Sequence, residues 1–323
     1  MSETIDKDVS ILVTGGRGFL GKALVRALHH AGYENISYDH NSHDYDLRSE
    51  SQTKALFDHS DPDVVFHLAA RVGGIGANRA QPATFWHDNL VMGANVLRAS
   101  RARHVAKVVM VGTTCSYPKT PGKIPFPEEE LFNGYPEETN APYGIAKLAL
   151  LEGARAYRNE FGLNVVTAVP TNLYGPHDDF MPATSHVIPA LMLKMHYAMT
   201  GDRARTTGEH GEIVVWGDGR STRDFLYVDD AANGLVVMME KYDDVTPINL
   251  GSGKEISINE LFITIAEVAG YHGQARLDKT KPNGQPRRAL DITRARQILG
   301  WEPIMSLSEG LKKTWDWFIA QPR

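Results

Sequence analysis

Cysteine is almost absent from this chain, whose 323 residues include a single one, Cys115. One thiol cannot form a disulfide within the chain, so the composition gives no sign of an oxidising compartment. No apolar run approaches the roughly 18 residues that a membrane-spanning helix needs. The opening residues, MSETIDKD, also lack the basic start and the apolar segment of a signal peptide. We therefore expect a cytoplasmic protein without a membrane partner.

An excess of basic residues is missing as well. Lys and Arg number 34 against 39 Asp and Glu, which gives a formal net charge of -5. Proteins that bind nucleic acid usually carry the opposite balance, so we expect no nucleic-acid partner. A chain of this length can bury a large core without disulfides or metal staples, and we predict no metal site.

Short β-branched runs alternate with helical stretches through the first half of the sequence. The runs that we predict as strands are 10–14, 35–38, 63–70, 106–111 and 164–169. Helical patterns fill the intervals at 22–32, 52–57, 85–102 and 143–161. This order predicts an α/β fold, a Rossmann-like doubly wound parallel sheet with helices on both faces.

The character of the sequence changes after Pro170. Residues 174–185 are dense in Pro, His, Gly and Asp, and 200–212 is typical of an exposed loop. Regular structure is expected again at 248–256 and in a helix at 259–270. We predict a smaller, interleaved substrate domain. The predicted boundaries are 1–172 plus roughly 222–250 for a dinucleotide-binding domain, and 173–221 with 251–323 for the substrate domain.

A glycine motif, GGRGFLG, lies between the first predicted strand and helix. Glycines at 15, 18 and 21 permit a tight turn, a close approach to a pyrophosphate and tight packing of helix on strand. Alone the pattern is weak, but its place after a strand and before a helix favours dinucleotide binding. The predicted cofactor contacts are Gly15, Arg17, Gly18, Phe19, Leu20 and Gly21.

Two residues give opposite indications about the kind of dinucleotide. Asp39, at the end of the second strand, would hold the ribose hydroxyls of NAD and repel the 2′-phosphate of NADP. Arg17, inside the glycine turn, could pair with that phosphate. Asp39 is equally interpretable as a turn residue, so these residues leave the cofactor open.

Tyr143 and Lys147 stand four residues apart on a predicted helix, so both side chains lie on one face. A nearby ammonium and a cofactor charge would lower the pKa of the phenol enough for proton exchange at neutral pH. Thr113 and Thr114 add hydroxyl groups at the end of the fourth strand. A Thr, a Tyr and a Lys so placed match the catalytic group of short-chain dehydrogenase/reductases.

At this point the chain resembles the extended branch of that superfamily and, within it, the GDP-L-fucose synthase family. Segments that carry the resemblance are spread in order over almost the whole chain. They are HLAARVGGIGAN (67–78), GTTCSYPK (112–119), ETNAPYGIAK (138–147), PTNLYGPHDDF (170–180), SHVIPAL (185–191), VVWGDGRSTRDFLYVDD (214–230) and KPNGQPRRALD (281–291).

The resemblance implies an epimerase-reductase that converts GDP-4-keto-6-deoxy-D-mannose to GDP-L-fucose or a close relative. Cys115 and His186 would then exchange protons at C3 and C5, since thiols and imidazoles titrate near neutral pH. Thr113 and Tyr143 would stabilise the enolate oxygen, and Tyr143 would protonate O4 during hydride transfer. A lone Cys is more often a packing residue, and its place in a matching segment is what favours the catalytic interpretation.

The same resemblance implies further binding residues. Lys147 would bond the nicotinamide ribose, and His186 would contact the cofactor as well. Other cofactor contacts are the strand end His67, Leu68, Ala69 and Ala70, and the segment Pro170, Thr171, Asn172 and Leu173. The GDP-sugar would contact Lys194, Trp216, Arg223 and Asn283.

Several positions depart from the family pattern. Thr113 replaces a Ser, Lys194 replaces an Arg and would meet phosphate as a point charge, and Asn283 replaces an acid, which bears on guanine selectivity. The segment YDHNSHDYDLR after the second strand has no Arg before His43 to hold a 2′-phosphate. We prefer NADP(H) because net reduction draws on that pool, with NAD(H) as the alternative.

Other functions fit the same scaffold. One is a C4 reductase that omits epimerisation, on a deoxyhexose or a heptose, and another is an NAD-dependent nucleotide-sugar epimerase. A non-catalytic dinucleotide sensor is disfavoured because Tyr143 and Lys147 are both present. The resemblance also implies a homodimer formed through the helices at 85–102 and 143–161.

Overall fold

The computed structural model describes residues 5–182, 184–201, 212–281 and 283–321. Strands in these ranges are β1 (Ile11–Thr14), β2 (Ile36–Ser37), β3 (Val64–His67), β4 (Lys107–Val111), β5 (Val165–Pro170), β6 (Asn172–Tyr174), β7 (Ile213–Trp216), β8 (Thr222–Arg223), β9 (Phe225–Tyr227), β10 (Ile248–Leu250), β11 (Ile256–Ser257), β12 (Ala275–Asp278) and β13 (Arg287–Arg288). Helices are α1 (Phe19–His30), α2 (Glu50–Ser60), α3 (Ile75–Ala80), α4 (Pro82–Ala102), α5 (Ala141–Phe161), α6 (Val187–Thr200), α7 (Val228–Lys241), α8 (Ile258–Ala269) and α9 (Leu307–Ala320).

A six-stranded parallel sheet forms the centre of the molecule, in the order β2-β1-β3-β4-β5-β10. Its middle strands are continuous apolar runs that are buried on both faces, as parallel strands covered by helices must be. The chain reverses its direction of winding between β1 and β3, which is where such sheets bind ligands. The predicted doubly wound fold is confirmed.

Helices cover both faces of this sheet. On one face α1 and α7 pack against β1, β3 and β5, with Leu24 and Leu28 of α1 fully buried. On the other face α2, α4 and α5 pack around Phe57, Val96 and Leu150. The apolar spacing predicted for α1 is therefore the face that it buries.

A second apolar cluster lies beyond the sheet. It joins α6, α8 and α9 with β7 and β9 around Met192, Leu261 and Leu311. The chain enters this region through β6, which pairs in parallel with β9. Ile292 and Leu299 pack on the sheet cluster, although they fall within 251–323. The predicted domain boundaries stay a prediction.

Some elements differ from their predicted extent. α2 and α4 begin earlier than expected, because Ser49 caps α2 through the N–H of Gln52 and Pro82 starts α4, where its missing N–H costs nothing. α3 was not predicted. Of the predicted loop 200–212, Thr200 ends α6, Gly201 caps it, and 202–211 lie outside the described residues. No helix in the described ranges is long and apolar enough to cross a membrane.

Candidate active site

The glycine turn connects β1 to α1 and presses against the end of β3. Gly15 has φ +77, and a Cβ there would stand 2.7 Å from the amide nitrogen of Ala69. A Cβ on Gly21 would lie 2.2 Å from the carbonyl oxygen of Gly15. Only glycine fits either position, so the turn holds the N-terminal end of α1 close to the switch point of the sheet.

The strand ends beside this turn form a cradle. His67 is buried, and its Nδ1 lies 2.9 Å from Oγ1 of Thr14. Its Nε2 is buried without a hydrogen-bond partner among the described residues. Burial, and then the charge of Lys147, lower the pKa of His67 to about 3, so the ring is neutral. Leu68 follows, and its N–H donates to the carbonyl oxygen of Thr14 at 3.0 Å.

A cavity of about 320 Å³ opens next to the cradle, lined by Gly15, Ala69, Ala70, His40 and Tyr45 among others. Its position beside the glycine turn suits the adenosine end of a dinucleotide. The glycine turn, the cradle with its neutral His67 and this cavity together fit the cofactor that the sequence predicts.

Arg17 and Asp39 meet at the outer edge of the turn. Nε of Arg17 lies 3.5 Å from Oδ1 of Asp39, and both side chains are exposed. The two residues that gave opposite indications about the cofactor therefore form an ion pair with each other. A 2′-phosphate that binds Arg17 must compete with this carboxylate.

Thr113, Cys115 and Tyr143 are brought together at the end of β4. The N–H of Cys115 donates to Oγ1 of Thr113 at 3.2 Å, in a short helical turn over Thr114–Ser116. Tyr143, near the start of α5, hydrogen-bonds to the Thr113 side chain. α5 approaches this turn closely, since a Cβ on Gly144 would stand 2.3 Å from the carbonyl oxygen of Cys115.

Lys147 lies one helical turn beyond Tyr143. Its Nζ donates to the carbonyl oxygen of Val111 at 2.9 Å. The side chain is buried, and burial lowers the pKa of Lys147 to about 8. Burial, and then the nearby Cys115, raise the pKa of Tyr143, while the hydrogen bond with Thr113 opposes them. In the chain alone the pKa of Tyr143 is therefore raised and not lowered as expected, because burial outweighs the hydrogen bond with Thr113. Tyr143 stays protonated and can donate its proton.

The segment 170–173 passes from the sheet into the second apolar region. Pro170 ends β5, and the N–H of Thr171 donates to the carbonyl oxygen of Leu250 at 2.9 Å. The side chains of Thr171 and Asn172 both donate to the carbonyl oxygen of Asp224, at 3.0 and 2.9 Å. Leu173 packs at the edge of the sheet cluster. These contacts fix the segment at the carboxyl end of β5.

His186 precedes α6 and is exposed to solvent, although the surrounding protein crowds its ring. That crowding lowers the pKa of His186, while Asp179 raises it. Among the described residues no hydrogen bond or ion pair joins His186 to Cys115, Tyr143 or Lys147. The neighbouring carbonyl of Thr184 accepts the N–H of Gly74 at 3.2 Å, which ties this segment to the loop after β3.

The four predicted sugar-nucleotide residues surround the end of β7. Lys194 donates to the carbonyl oxygen of Val214 at 2.8 Å, and burial lowers the pKa of its amine. Trp216 is 52% exposed, so it is not a core residue. Oδ1 of Asn283 accepts the N–H of Asp218 at 2.8 Å, and Nη1 of Arg223 donates to the carbonyl oxygen of Gln285 at 2.7 Å.

One buried residue of this region was not predicted. Arg288 is 8% exposed, and its Nη1 lies 3.6 Å from Sγ of Cys115. The signal in the sequence is an Arg followed directly by the apolar Ala289 and Leu290. A doubled Arg there is ordinarily interpreted as a solvated pair, and only the pairing of β13 with β8 turns the second one inward.

Comparison with known proteins agrees with this geometry. A family described as the NAD dependent epimerase/dehydratase family matches residues 11–251. GDP-L-fucose synthase 1 of Arabidopsis thaliana is 39% identical over 319 residues, which cover 99% of this chain and 96% of the relative.

Two solved structures are similar over nearly the whole chain. A GDP-L-fucose synthetase from Naegleria fowleri bound to NADP has a TM-score of 0.87 at 30% identity, covering 98% of this chain and 96% of that one. A GDP-6-OMe-4-keto-L-xylo-heptose reductase from C. jejuni has a TM-score of 0.91 at 28% identity, covering 99% and 100%. The chain belongs to the NAD dependent epimerase/dehydratase family and, within it, to the GDP-L-fucose synthase family.

Proposed function

We propose that this enzyme converts GDP-4-keto-6-deoxy-D-mannose to GDP-L-fucose by epimerising C3 and C5 and reducing C4. The observation that carries the proposal is the placement of the only cysteine beside Thr113 and Tyr143. The three side chains can therefore act on the same carbonyl group of a bound sugar. A plain reductase needs the Tyr and the Lys, but it needs no thiol. The name of the Arabidopsis relative supports the same reaction.

Epimerisation requires a proton to leave carbon on one face and to arrive on the other. The C4 ketone acidifies the protons at C3 and C5, so a thiolate at Cys115 can take one and become a thiol. The electron pair of the broken C–H bond moves to O4, where Thr113 and Tyr143 hold the enolate by hydrogen bonds. Protonated His186 then gives a proton to the opposite face, and exchange with water restores both groups.

Reduction follows at C4. A bound nicotinamide dinucleotide supplies the hydride, and Tyr143 gives its proton to O4. Lys147, held by the carbonyl of Val111, binds the ribose and keeps positive charge next to the phenolate that forms. Substrate enters beside Trp216, and Lys194 and Arg223 supply positive charge for the diphosphate.

The enzyme uses NADP(H), as the NADP-bound Naegleria structure supports. In this chain Asp39 competes with the 2′-phosphate for Arg17. We therefore propose that NADPH is preferred to NADH by a narrow margin and that both cofactors support turnover.

The test is to incubate the protein with GDP-4-keto-6-deoxy-D-mannose in deuterated water, with NADPH or NADH supplied separately, and to analyse the product by NMR. GDP-L-fucose with deuterium at C3 and C5 is expected. Cys115→Ser and His186→Asn should abolish the deuterium uptake while some C4 reduction remains. Unchanged uptake in both variants would exclude these residues as the proton-transfer pair.

A second candidate is a C4 reductase that omits epimerisation. The similarity to the C. jejuni heptose reductase, at a TM-score of 0.91, favours it. Reduction without any deuterium at C3 or C5 in the wild-type protein would establish this function instead. An NAD-dependent 4-epimerase would return unlabelled substrate epimers without net consumption of NADPH.

We also propose that residues 173–221 and 251–323 act as the substrate domain, that the protein is a homodimer and that it is cytoplasmic. The separate apolar cluster around Met192 and Leu261 supports the first proposal. Limited proteolysis in the presence and absence of GDP should show that GDP protects only the residues of this substrate domain from cleavage.

A further inference from the structure

Two arginines beside Cys115 lack an acidic partner. Arg223 and Arg288 are paired residues of the adjacent parallel strands β8 and β13. Within the described ranges, neither guanidinium has a carboxylate oxygen within 4 Å. Arg287, the residue before Arg288, differs in this respect, because two of its nitrogens bind Glu255. Each arginine repels the other, and the burial of Arg223 together with Arg288 lowers the pKa of Arg223 to about 10.

Arg288 is held in one orientation. Its Nε donates to Oε1 of the buried Gln285 at 3.1 Å. Nε2 of Gln285 donates in turn to the carbonyl oxygens of Pro118 and Lys119, at 3.2 and 2.9 Å, in the segment that follows Cys115. The guanidinium and the thiol are thereby fixed to one another, with Nη1 of Arg288 at 3.6 Å from Sγ.

The charged groups around Cys115 indicate that Arg223 and Arg288 need an anionic partner. Facing Cys115 are Arg288 from β13, Arg223 from β8 and the phenol of Tyr143 from α5. The carboxylate of Glu137 attracts Arg223, but it accepts hydrogen bonds from Thr139 and Asn140. Buried Arg288 and half-buried Arg223 leave a positive site here, and burying such charge without a counterion is costly.

We propose that Arg288 is a positioning residue that holds its guanidinium against the thiol of Cys115 and stabilises the negative charge that the sulfur carries when the cysteine acts as the proton acceptor of the epimerisation. The role of Arg288 in epimerisation rests on the proposed function, but the contact between Arg288 and Cys115 does not. Arg223 remains available to bind the diphosphate of the substrate, so each of the two arginines interacts with a different anion. A guanidinium suits the first task because it stays charged when buried.

The experiment uses the fact that the chain has one cysteine. Alkylation by iodoacetamide consumes thiolate, so its rate between pH 5 and 10, followed by mass spectrometry, reports Cys115 alone. In Arg288→Met we expect the midpoint of the rate profile to move up by at least about 1 pH unit, which makes alkylation at neutral pH about tenfold slower. Arg288→Lys should recover most of the shift, because it restores the charge.

Arg287→Met is the matched control, since it removes the neighbouring guanidinium, which is bonded to Glu255 and directed away from Cys115. Its profile should coincide with that of the wild type. A profile for Arg288→Met that coincides with wild type, or an equal shift in Arg287→Met, would overturn the proposal. If Arg288→Met fails to fold, Arg288→Gln, which keeps polar atoms next to Gln285, takes its place with the same expectation.

A second readout connects the residue to the reaction. With GDP-4-keto-6-deoxy-D-mannose in deuterated water, Arg288→Met should lower deuterium uptake at C3 and C5 about tenfold while KM changes little. A raised KM with unchanged uptake would assign Arg288 to substrate binding and overturn the proposal. If the wild type turns over no such sugar, the proposed function fails while the alkylation profile still tests the contact.

Discussion

At the residue scale, Lys147 is a buried group of the candidate site whose charge changes just above neutral pH. Burial lowers the pKa of Lys147 to about 8, so the free protein loses this charge as pH rises through that value. The affinity for NADP⁺ should therefore fall above pH 8, by up to about tenfold per pH unit where the ammonium is required. Fluorescence titrations between pH 6.5 and 9.5 measure it.

Lys147→Met should bind NADP⁺ more weakly, with no decline above pH 8. Lys54→Met, on the exposed face of α2 where Lys54 pairs with Asp58, serves as the control and should keep the wild-type decline. A decline of equal size in Lys147→Met would assign the titration to another group.

The residues of the site differ in how far the sequence predicted them. Tyr143, Lys147 and the glycines stand at fixed spacings that helix and turn geometry impose, so their places follow from local sequence. Arg288 could not be predicted in this way, because its contact with Cys115 joins residues 173 positions apart. The direction of the pKa of Tyr143 was also missed, since burial is a property of the fold and not of the spacing.

At the element scale, the close approach of α5 to the turn at Cys115 positions Tyr143 beside that turn. Gly144→Ala places a Cβ 2.3 Å from the carbonyl oxygen of Cys115, so backbone must shift. We expect a loss of about 2 kcal/mol in the free energy of unfolding, as for other overpacked sites. C4 reduction should fall at least tenfold, because Tyr143 moves with the helix.

Gly153→Ala is the control in the same helix. Its Cβ would meet only Cδ1 of Leu97, at an ordinary 3.6 Å. Alanine favours the helical state over glycine, so this variant should gain about 0.5–1 kcal/mol in stability with unchanged activity. Urea unfolding and the steady-state rate compare the two variants, and equal behaviour would contradict the packing argument.

Asp224 links the ends of three strands and is fully buried. Its Oδ1 accepts the N–H of Ser252 at 2.9 Å and the hydroxyl at 2.5 Å. Burial raises the pKa of Asp224 to about 6, against the opposing hydrogen bonds from Ser252. Between pH 4 and 6 the unfolded chain is already ionised at this residue while the folded chain is not, so the wild type loses stability as pH rises.

Asp224→Asn lacks this titration. Relative to wild type, its free energy of unfolding should therefore increase by about 3 kcal/mol between pH 4 and 6, since each pKa unit corresponds to about 1.4 kcal/mol. Urea unfolding at closely spaced pH values measures the difference. Asp316→Asn, an exposed carboxylate on α9 bonded to Lys312, should show no such increase. A difference for Asp224→Asn that stays constant with pH would refute the assignment.

At the scale of the whole molecule, the sheet was predictable and the second region much less so. The strands β1, β3, β4 and β5 are apolar runs that can only be buried, and their alternation with helices allows few arrangements. The strands of the second region are shorter, as in the two residues of β8 and β13, and pair across long sequence separations. No periodicity can develop over two residues, so only the fold itself defines them.

Helices α4 and α5 also bear on the oligomeric state of the protein. α4 packs tightly on α5, where a Cβ on Gly93 would stand 2.4 Å from Cδ1 of Leu150. The outer surface of the pair carries small exposed residues, among them Ala94 and Ala149, that permit a second pair of helices to approach. A two-fold arrangement would bury this surface against its own copy.

Sedimentation at about 10 μM should accordingly give a mass near 71 kDa, twice the 35.7 kDa of the chain. Ala149→Arg places two extra guanidinium groups in the buried interface of the dimer and should shift the protein to monomer. Ala55→Arg makes the same change on the exposed face of α2 and should leave the dimer intact. Because the candidate residues Thr113, Tyr143 and Lys147 all lie within one chain, the monomeric variant should keep its rate of C4 reduction. A monomeric wild type, or a dimer that Ala149→Arg does not weaken, would exclude this interface.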